Sequence, residues 1–231
     1  MRVSTGTIQR LKYLSAYRKN VTITPGNYIR CTSAAGDAYL AIRTDENFPS
    51  NMPFDNILEM VNIASALGEK ADWTINDGYA TIENTELLVT AKLVFSHPTA
   101  APVLTKTVAV FENGFENTFM PGDWSAMMRT IRQINGSDQV RVVIKDGTVS
   151  LSAMALSGSS VTYPIMVKEG DNTACTFVVP QVYLEIAPWV ENVKVEVFVN
   201  PNGSTRSYFK ITGVNGNNVE TFVMMTTLEE V

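Results

Sequence analysis

The sequence predicts an α+β protein of two similar halves, each an antiparallel sheet that carries two helices. The order helix, strands, helix, strands occurs twice along the 231 residues. Asp-Gly and Asn-Gly pairs stand between β-rich segments, where tight hairpin turns need them. A proline-broken stretch over 96–107 separates the halves. Helices packed on one side of an antiparallel sheet are the architecture that this order favours. We predict domains over 1–98 and 120–231, joined by a connector over 99–119.

The first half opens with a helix predicted over 4–20. Ser4 or Thr5 can cap its amino end, and Ile8, Leu11 and Leu14 recur at helical spacing. On this reading Arg18 and Lys19 lie in the last turn, where cations favour the negative end of the helix dipole. Arg10 lies in the body of the helix, where the dipole does not explain it.

The rest of the first half alternates between strand and helix signals. Strands are predicted over 21–34 and 38–44, and a second helix over 53–67. Asn76-Asp77-Gly78 joins short strands into a hairpin, and a mostly buried strand follows over 86–95.

The second half repeats this pattern with different residues. Its first helix is predicted over 121–135, with Asp123 as the cap and Asn135-Gly136 as the end. A fourth short helix is predicted over 180–190, ending near Pro188. Strands are predicted in order over 108–119, 139–144, 149–156, 161–168, 174–179, 193–199, 208–212 and 219–226.

The helix at 121–135 has two chemically different faces. Its apolar face consists of Trp124, Met127, Met128, Ile131 and Ile134. Its polar face carries Arg129 and Arg132, one turn apart, with no carboxylate beside them in the sequence. Such a face is either an ordinary solvated surface or a surface that meets a polyanion.

Charge, cysteine count and hydropathy argue against a globally basic protein, a disulfide-rich protein and a membrane protein. The formal net charge is -5, so any DNA binding has to come from a local basic face. Two cysteines are too few for a disulfide framework and suit a reducing cytoplasm. No stretch approaches the ~18 apolar residues of a membrane span, and no apolar signal core is present. We therefore expect a soluble cytoplasmic protein with no membrane partner.

The sequence offers no supported active site. His97 is the only histidine and stands beside Pro98 without a nearby carboxylate or cysteine. One histidine and two scattered cysteines do not make a zinc site. The stretch 213–218 lacks the lysine and the following helix of a phosphate-binding loop. We expect no enzyme activity, cofactor or metal.

Three stretches, in this order and spacing, resemble the trimeric DNA polymerase sliding clamps of tailed phages. They are a helix feeding a strand through a Pro-Gly turn (LKYLSAYRKNVTITPGNYI), a helix in the first half (PFDNILEMVNIASAL), and a helix with an R-x-x-R pattern (MMRTIRQI). The likeness covers most of the chain, and the linker stands where the family has its interdomain connector.

This resemblance implies the DNA clamp fold and a closed homotrimeric ring around duplex DNA. Helices would line the hole, sheets would form the outside, and edge strands over 86–95 and 161–168 would join the copies. The ring would tether the replicative DNA polymerase as a processivity factor, be opened by a clamp loader and also dock other replication proteins. The host would be a phage-infected bacterium. The residues expected to face DNA are Arg10, Lys12, Arg18, Lys19, Arg129 and Arg132.

The resemblance also implies an apolar pocket beside the connector, where short peptides of the polymerase and other partners dock. The matching connector residues are Val103, Leu104, Val108, Val110 and Phe111, and Met224, Met225 and Leu228 would add to the rim. Ordinary core packing is the alternative for each of them.

Two other functions remain open from the sequence. A β-rich phage virion protein that does not encircle DNA would also have many short strands and few charges, but it does not predict arginines gathered on helices. An enzyme that uses paired carboxylates would need a pair that the sequence does not single out.

Overall fold

The computed structural model describes residues 1–97, 114–134, 138–170, 173–199 and 207–227. The chain divides into two compact units, Met1–Thr107 and Val108–Val231. Both consist mainly of antiparallel strands, and the predicted α+β class is confirmed. In the described residues, no helix is long and apolar enough to cross a membrane.

The first unit packs two helices together beside short antiparallel sheets. Its elements are α1 (Thr5–Ser15), β1 (Val21–Ile23), β2 (Gly26–Thr32), β3 (Ala38–Phe48), β4 (Met52–Phe54), α2 (Ile57–Leu67), β5 (Asp72–Asn76), β6 (Tyr79–Asn84) and β7 (Val89–Val94). Strand β7 forms one edge of the three-stranded sheet β5-β6-β7, while β1 pairs with β4 and β2 pairs with β3.

The second unit contains two four-stranded antiparallel arrays. The elements of this unit are β8 (Phe115–Phe119), α3 (Pro121–Ile134), β9 (Gln139–Lys145), β10 (Thr148–Met154), β11 (Ser160–Val167), β12 (Cys175–Pro180), a 3-10 turn (Gln181–Leu184), β13 (Asn192–Phe198), β14 (Ser207–Asn215) and β15 (Asn218–Thr227). The strand orders of the two arrays are β11-β10-β9-β12 and β15-β14-β13-β8.

Helix α1 begins as predicted but ends earlier. The Ser4 hydroxyl accepts a hydrogen bond from the Thr7 amide at 3.1 Å, which satisfies a free donor of the first turn. The helix ends at Ser15, and the Arg18 amide bonds back to the Leu14 carbonyl at 3.3 Å. Arg18 and Lys19 therefore lie beyond the helix, and the dipole argument for them is wrong.

Helix α3 starts at Pro121, so Asp123 lies inside the first turn and is not the cap. Proline suits the first helical position because the amide it lacks would have had no partner there. The Asp123 carboxylate still favours the positive end of the helix dipole. The predicted end at Asn135-Gly136 lies outside the described residues.

The fourth helix is one 3-10 turn, Gln181–Leu184, and not the longer helix predicted over 180–190. Glu185 already has an extended backbone. Pro188 accounts for part of this shortening, because the residue before a proline is disfavoured in the helical conformation.

The hairpin turns agree with the Asx-Gly pairs of the sequence. Asp146 and Gly147 both have positive φ, at 50° and 73°, as a tight hairpin between β9 and β10 requires. Gly78 and Gly216 also have positive φ at the other two described turns. The predicted Asn202-Gly203 turn and most of the linker over 96–107 lie outside the described residues.

Candidate nucleic-acid interface

Helix α3 presents an exposed basic face because its opposite face is buried in the second unit. Trp124, Met128 and Ile131 are buried, while Arg129 and Arg132 are exposed. The indole nitrogen of Trp124 donates a hydrogen bond to the Leu184 carbonyl at 2.8 Å. This bond holds the 3-10 turn against the helix, close to both arginines.

Arg132 has a carboxylate partner that the sequence did not reveal. Its guanidinium forms an ion pair with Glu185, directly after the 3-10 turn. The expectation that both arginines stand apart from any carboxylate is therefore wrong for Arg132. Arg129 forms no ion pair with the residues that the structure describes. A cavity of about 230 Å³ lies between the helix and this segment, and both arginines line it.

Arg10 is held inside the first unit by a polar network. Its guanidinium contacts Asp45 on β3 at 2.7 Å, and its side chain is only 13% exposed. The Ser4 hydroxyl donates to the same carboxylate at 2.8 Å, and the Asp45 amide donates to Thr7. A Cβ at Gly6 would lie 2.9 Å from the Asp45 carboxylate, so glycine makes room for the network. Arg10 thus joins α1 to β3 and is not equivalent to the exposed Arg129.

Arg18 also has a structural role. Its guanidinium donates to the Asn20 and Thr32 side-chain oxygens, each at 2.9 Å, and to the carbonyls of Thr32 and Ser33 at 3.3 Å. These bonds attach the segment after α1 to the end of β2. This arrangement leaves less of Arg18 available to an external ligand.

Lys12 and Lys19 are the exposed cations near α1. Neither forms an ion pair with the described part of the chain. Helix α2, which packs against α1, adds no cation within its own span and exposes Glu59. Any basic surface beside the helices of this unit therefore depends on Lys12 on α1 and on Lys19 just after it.

Lysines on the second unit's sheet are neutralised by neighbouring carboxylates. Lys194 contacts Glu116 at 2.9 Å, and Lys210 contacts Glu196 at 2.6 Å across adjacent strands. The hydrogen bond from Lys194 lowers the pKa of Glu116, and the same bond raises the pKa of Lys194. Both of these lysines are paired, in contrast to Arg129, which forms no ion pair with the described residues.

The expected partner-peptide pocket lies mostly outside the described residues. Val103, Leu104, Val108, Val110, Phe111 and Leu228 all fall there. Met225 is 1% exposed and packs in the core on β15, whereas Met224 is half-buried. Of the described rim residues, only Met224 is accessible to a partner.

The first unit contains a cavity of about 680 Å³ that the sequence did not predict. Its walls include Pro49, Pro53, Ile75 and Phe95, together with the β5–β6 turn. These residues come from separate segments that only the folded unit brings together, so no local motif marks the cavity. In the described residues, no group of three or more His, Cys, Asp or Glu side chains could hold a metal ion.

Replacing Arg18 tests the structural role of its guanidinium. We expect Arg18→Ala to lower the free energy of unfolding by about 2 kcal/mol, because it removes charge-assisted hydrogen bonds to partly buried oxygens. Lys19→Ala, at the exposed neighbouring position, should change it by less than about 0.5 kcal/mol. Urea unfolding of both variants measures the difference, and equal stabilities would contradict this role.

Solved structures with a similar fold are clamps of the proliferating-cell-nuclear-antigen type. The A. fulgidus PCNA, bound to the C-terminal region of FEN-1, has a TM-score of 0.65 at 11% identity over 100% of this chain and 98% of its own. The Entamoeba histolytica protein gives 0.61 at 11% identity over 98% and 96% of the two chains. The PCNA2-PCNA3 complex from Sulfolobus tokodaii gives 0.62 at 13% identity over 98% and 99%.

Sequence comparison adds no relative. No protein-family model matches the chain, and no curated protein matches it significantly. The likeness is therefore one of fold, and it extends over both units. The chain has the DNA clamp fold.

Proposed function

We propose that the protein is a sliding clamp, whose copies close into a homotrimeric ring around duplex DNA and tether a DNA polymerase. The observation that carries this proposal is the clamp fold over the whole chain. One clamp of this fold is bound to a segment of another protein, and another forms a complex of two clamp chains. These findings support a role in docking and assembly.

The charge distribution of the chain suits sliding on DNA. The net charge is -5, while Arg129, Lys12 and Lys19 remain exposed and without ion pairs among the described residues. A few phosphate contacts provide salt-dependent attraction with no sequence preference. We rank Arg129 first among the DNA-facing residues, since Arg132 shares its charge with Glu185 and Arg10 is held by Asp45.

We assign ring closure to β7 and β11. Each ends its sheet in the described part of the chain. β11 carries no charged residue, and the only charge on β7, Lys92, lies over the Tyr79 ring at 4.2 Å. Natural proteins usually protect free edges with charges, so two such edges favour pairing between copies. A clamp loader would then open the ring, and docking peptides would bind beside the connector over 99–119.

The mass of the particle in solution tests the ring directly. We expect a discrete species with three times the 25.4 kDa chain mass. Sedimentation equilibrium over a range of concentrations measures it. A monomer at all concentrations, or an open-ended polymer of the kind formed by virion proteins, would rule out the closed trimer.

Reversing the charge of the α3 face tests the contact with DNA. We expect Arg129→Glu with Arg132→Glu to keep the trimer and its unfolding temperature but to lower polymerase processivity on primed DNA several-fold, since phosphate attraction is lost. Lys145→Glu is the control, because it alternates with the buried Val140, Val142 and Ile144 and so lies on the opposite face of β9. Unchanged processivity in the double variant would remove both arginines from the DNA-facing surface.

Removing the negative charge of Glu185 also tests the contact of α3 with DNA, because this change should strengthen binding instead of weakening it. Glu185→Gln removes the negative partner of Arg132 and should strengthen binding to linear duplex, which a closed ring can enter at its ends, about two- to fivefold at low salt. The salt dependence should become steeper at the same time, because one more cation meets the phosphates. Binding titrations at several salt concentrations measure both effects. If neither affinity nor salt slope changes, Arg132 does not contact DNA.

A further inference from the structure

The β10–β11 turn carries an exposed leucine in a preformed conformation. The Ala155 amide donates to the Ser159 carbonyl at 2.7 Å, and the Gly158 amide donates to the Ala155 carbonyl at 2.9 Å. Gly158 has φ of +88°, which glycine adopts without strain. Leu156 is fully exposed at the tip of this turn, and Met154 beside it is more than half exposed.

The hairpin that carries Leu156 has no charged residue between Gly147 and Val167. Exposed leucine and methionine on an uncharged edge hairpin form the kind of surface that marks a contact with another protein. The residues that flank Leu156 in the turn are small, namely alanine, serine and glycine. They would let the turn approach another surface closely.

The 680 Å³ cavity of the first unit lies where β7 ends. The Phe95 amide donates to the Gly78 carbonyl at 2.9 Å, and the Ser96 amide donates to the Pro53 carbonyl at 2.8 Å. All four of these residues line the cavity. A chain that paired with β7 and continued past Val94 would therefore reach the cavity. Its volume exceeds that of one leucine and accommodates several side chains of a turn.

We propose that Leu156 and its turn in one copy occupy this cavity in the next copy. The inference rests on the proposed ring and on pairing of β11 with β7. Every strand pair observed within the two units is antiparallel. We therefore expect β11 of one copy and β7 of the next copy to pair antiparallel as well. Antiparallel pairing sets the start of β11, at Ser160, opposite the end of β7, at Val94. The turn before Ser160 then projects towards the cavity.

The irregular shape of β11 limits its pairing with β7 and so explains why an additional apolar contact would be needed. Val149 pairs with Met166 and Ser150 pairs with Pro164, so Ile165 is left over as a bulge. Pro164 also has no amide to donate to a ladder. Regular pairing of β11 with β7 of the next copy is thus confined to residues 160–163, next to the turn. So short a ladder contributes little to the stability of the contact between copies. Burial of Leu156 adds an apolar contact beside the start of β11.

Disulfide trapping tests the placement. We would combine Leu156→Cys with Ser50→Cys, on the cavity wall, in a Cys175→Ser background. Cys31 will not compete, because burial raises the pKa of its thiol to about 12. We expect mild oxidation to link copies covalently into trimers.

Leu156→Cys with Leu88→Cys is the matched alternative, since Leu88 lies before the opposite end of β7. Linking through position 88, or no linking, would overturn the placement.

Association measurements test the contact without cross-links. We expect Leu156→Asp to raise the concentration at which the trimer dissociates about tenfold or more, since an apolar side chain loses its burial. Leu88→Asp, at a similarly exposed leucine, should change this dissociation concentration less than twofold.

A trimer whose dissociation concentration is unchanged by Leu156→Asp would overturn this inference and leave the ring intact. A monomeric wild-type protein would overturn the ring itself. Capture of a polymerase peptide by the cavity in the closed trimer would overturn the placement of Leu156 in that cavity.

Discussion

The structure depends on the burial of one face of each helix within its own unit. In α3 the buried stripe is Trp124, Met128 and Ile131, and the Trp124 indole also bonds to the Leu184 carbonyl. Once that face is fixed, the position of the polar face follows from the helical period. Arg129 is exposed for this reason, and Glu185 reaches Arg132 because the 3-10 turn is held in place.

Ion pairing within each unit then decides how much positive charge remains for a ligand. Arg10 joins α1 to β3 through Asp45, and Arg18 attaches the following segment to β2. Lys194 and Lys210 are balanced by glutamates on their own sheet. Among the described residues, Arg129, Lys12 and Lys19 keep exposed charges without ion pairs. The proposed clamp would use this modest charge to attract the DNA backbone without holding it in one place.

The sheet edges impose a second constraint, because an uncharged free edge invites pairing with another chain. β11 has this character along its whole length, and the turn before it exposes Leu156. The bulge at Ile165 and the proline at position 164 restrict where a partner strand can bind. An edge that is open but restricted in this way favours one register of pairing with a partner strand.

The sequence by itself determined the α+β class, the helix faces and the described hairpins, because these depend on periodicity and on glycine at positive φ, which are local. It also indicated the clamp fold through the order of its elements. Only the tertiary structure decided that Arg10, Arg18 and Arg132 have partners, that the fourth helix is one turn, and that Pro49, Ile75 and Phe95 share a cavity. These features depend on contacts between residues far apart in the chain, and spacing along the sequence does not encode which distant carboxylate a cation meets.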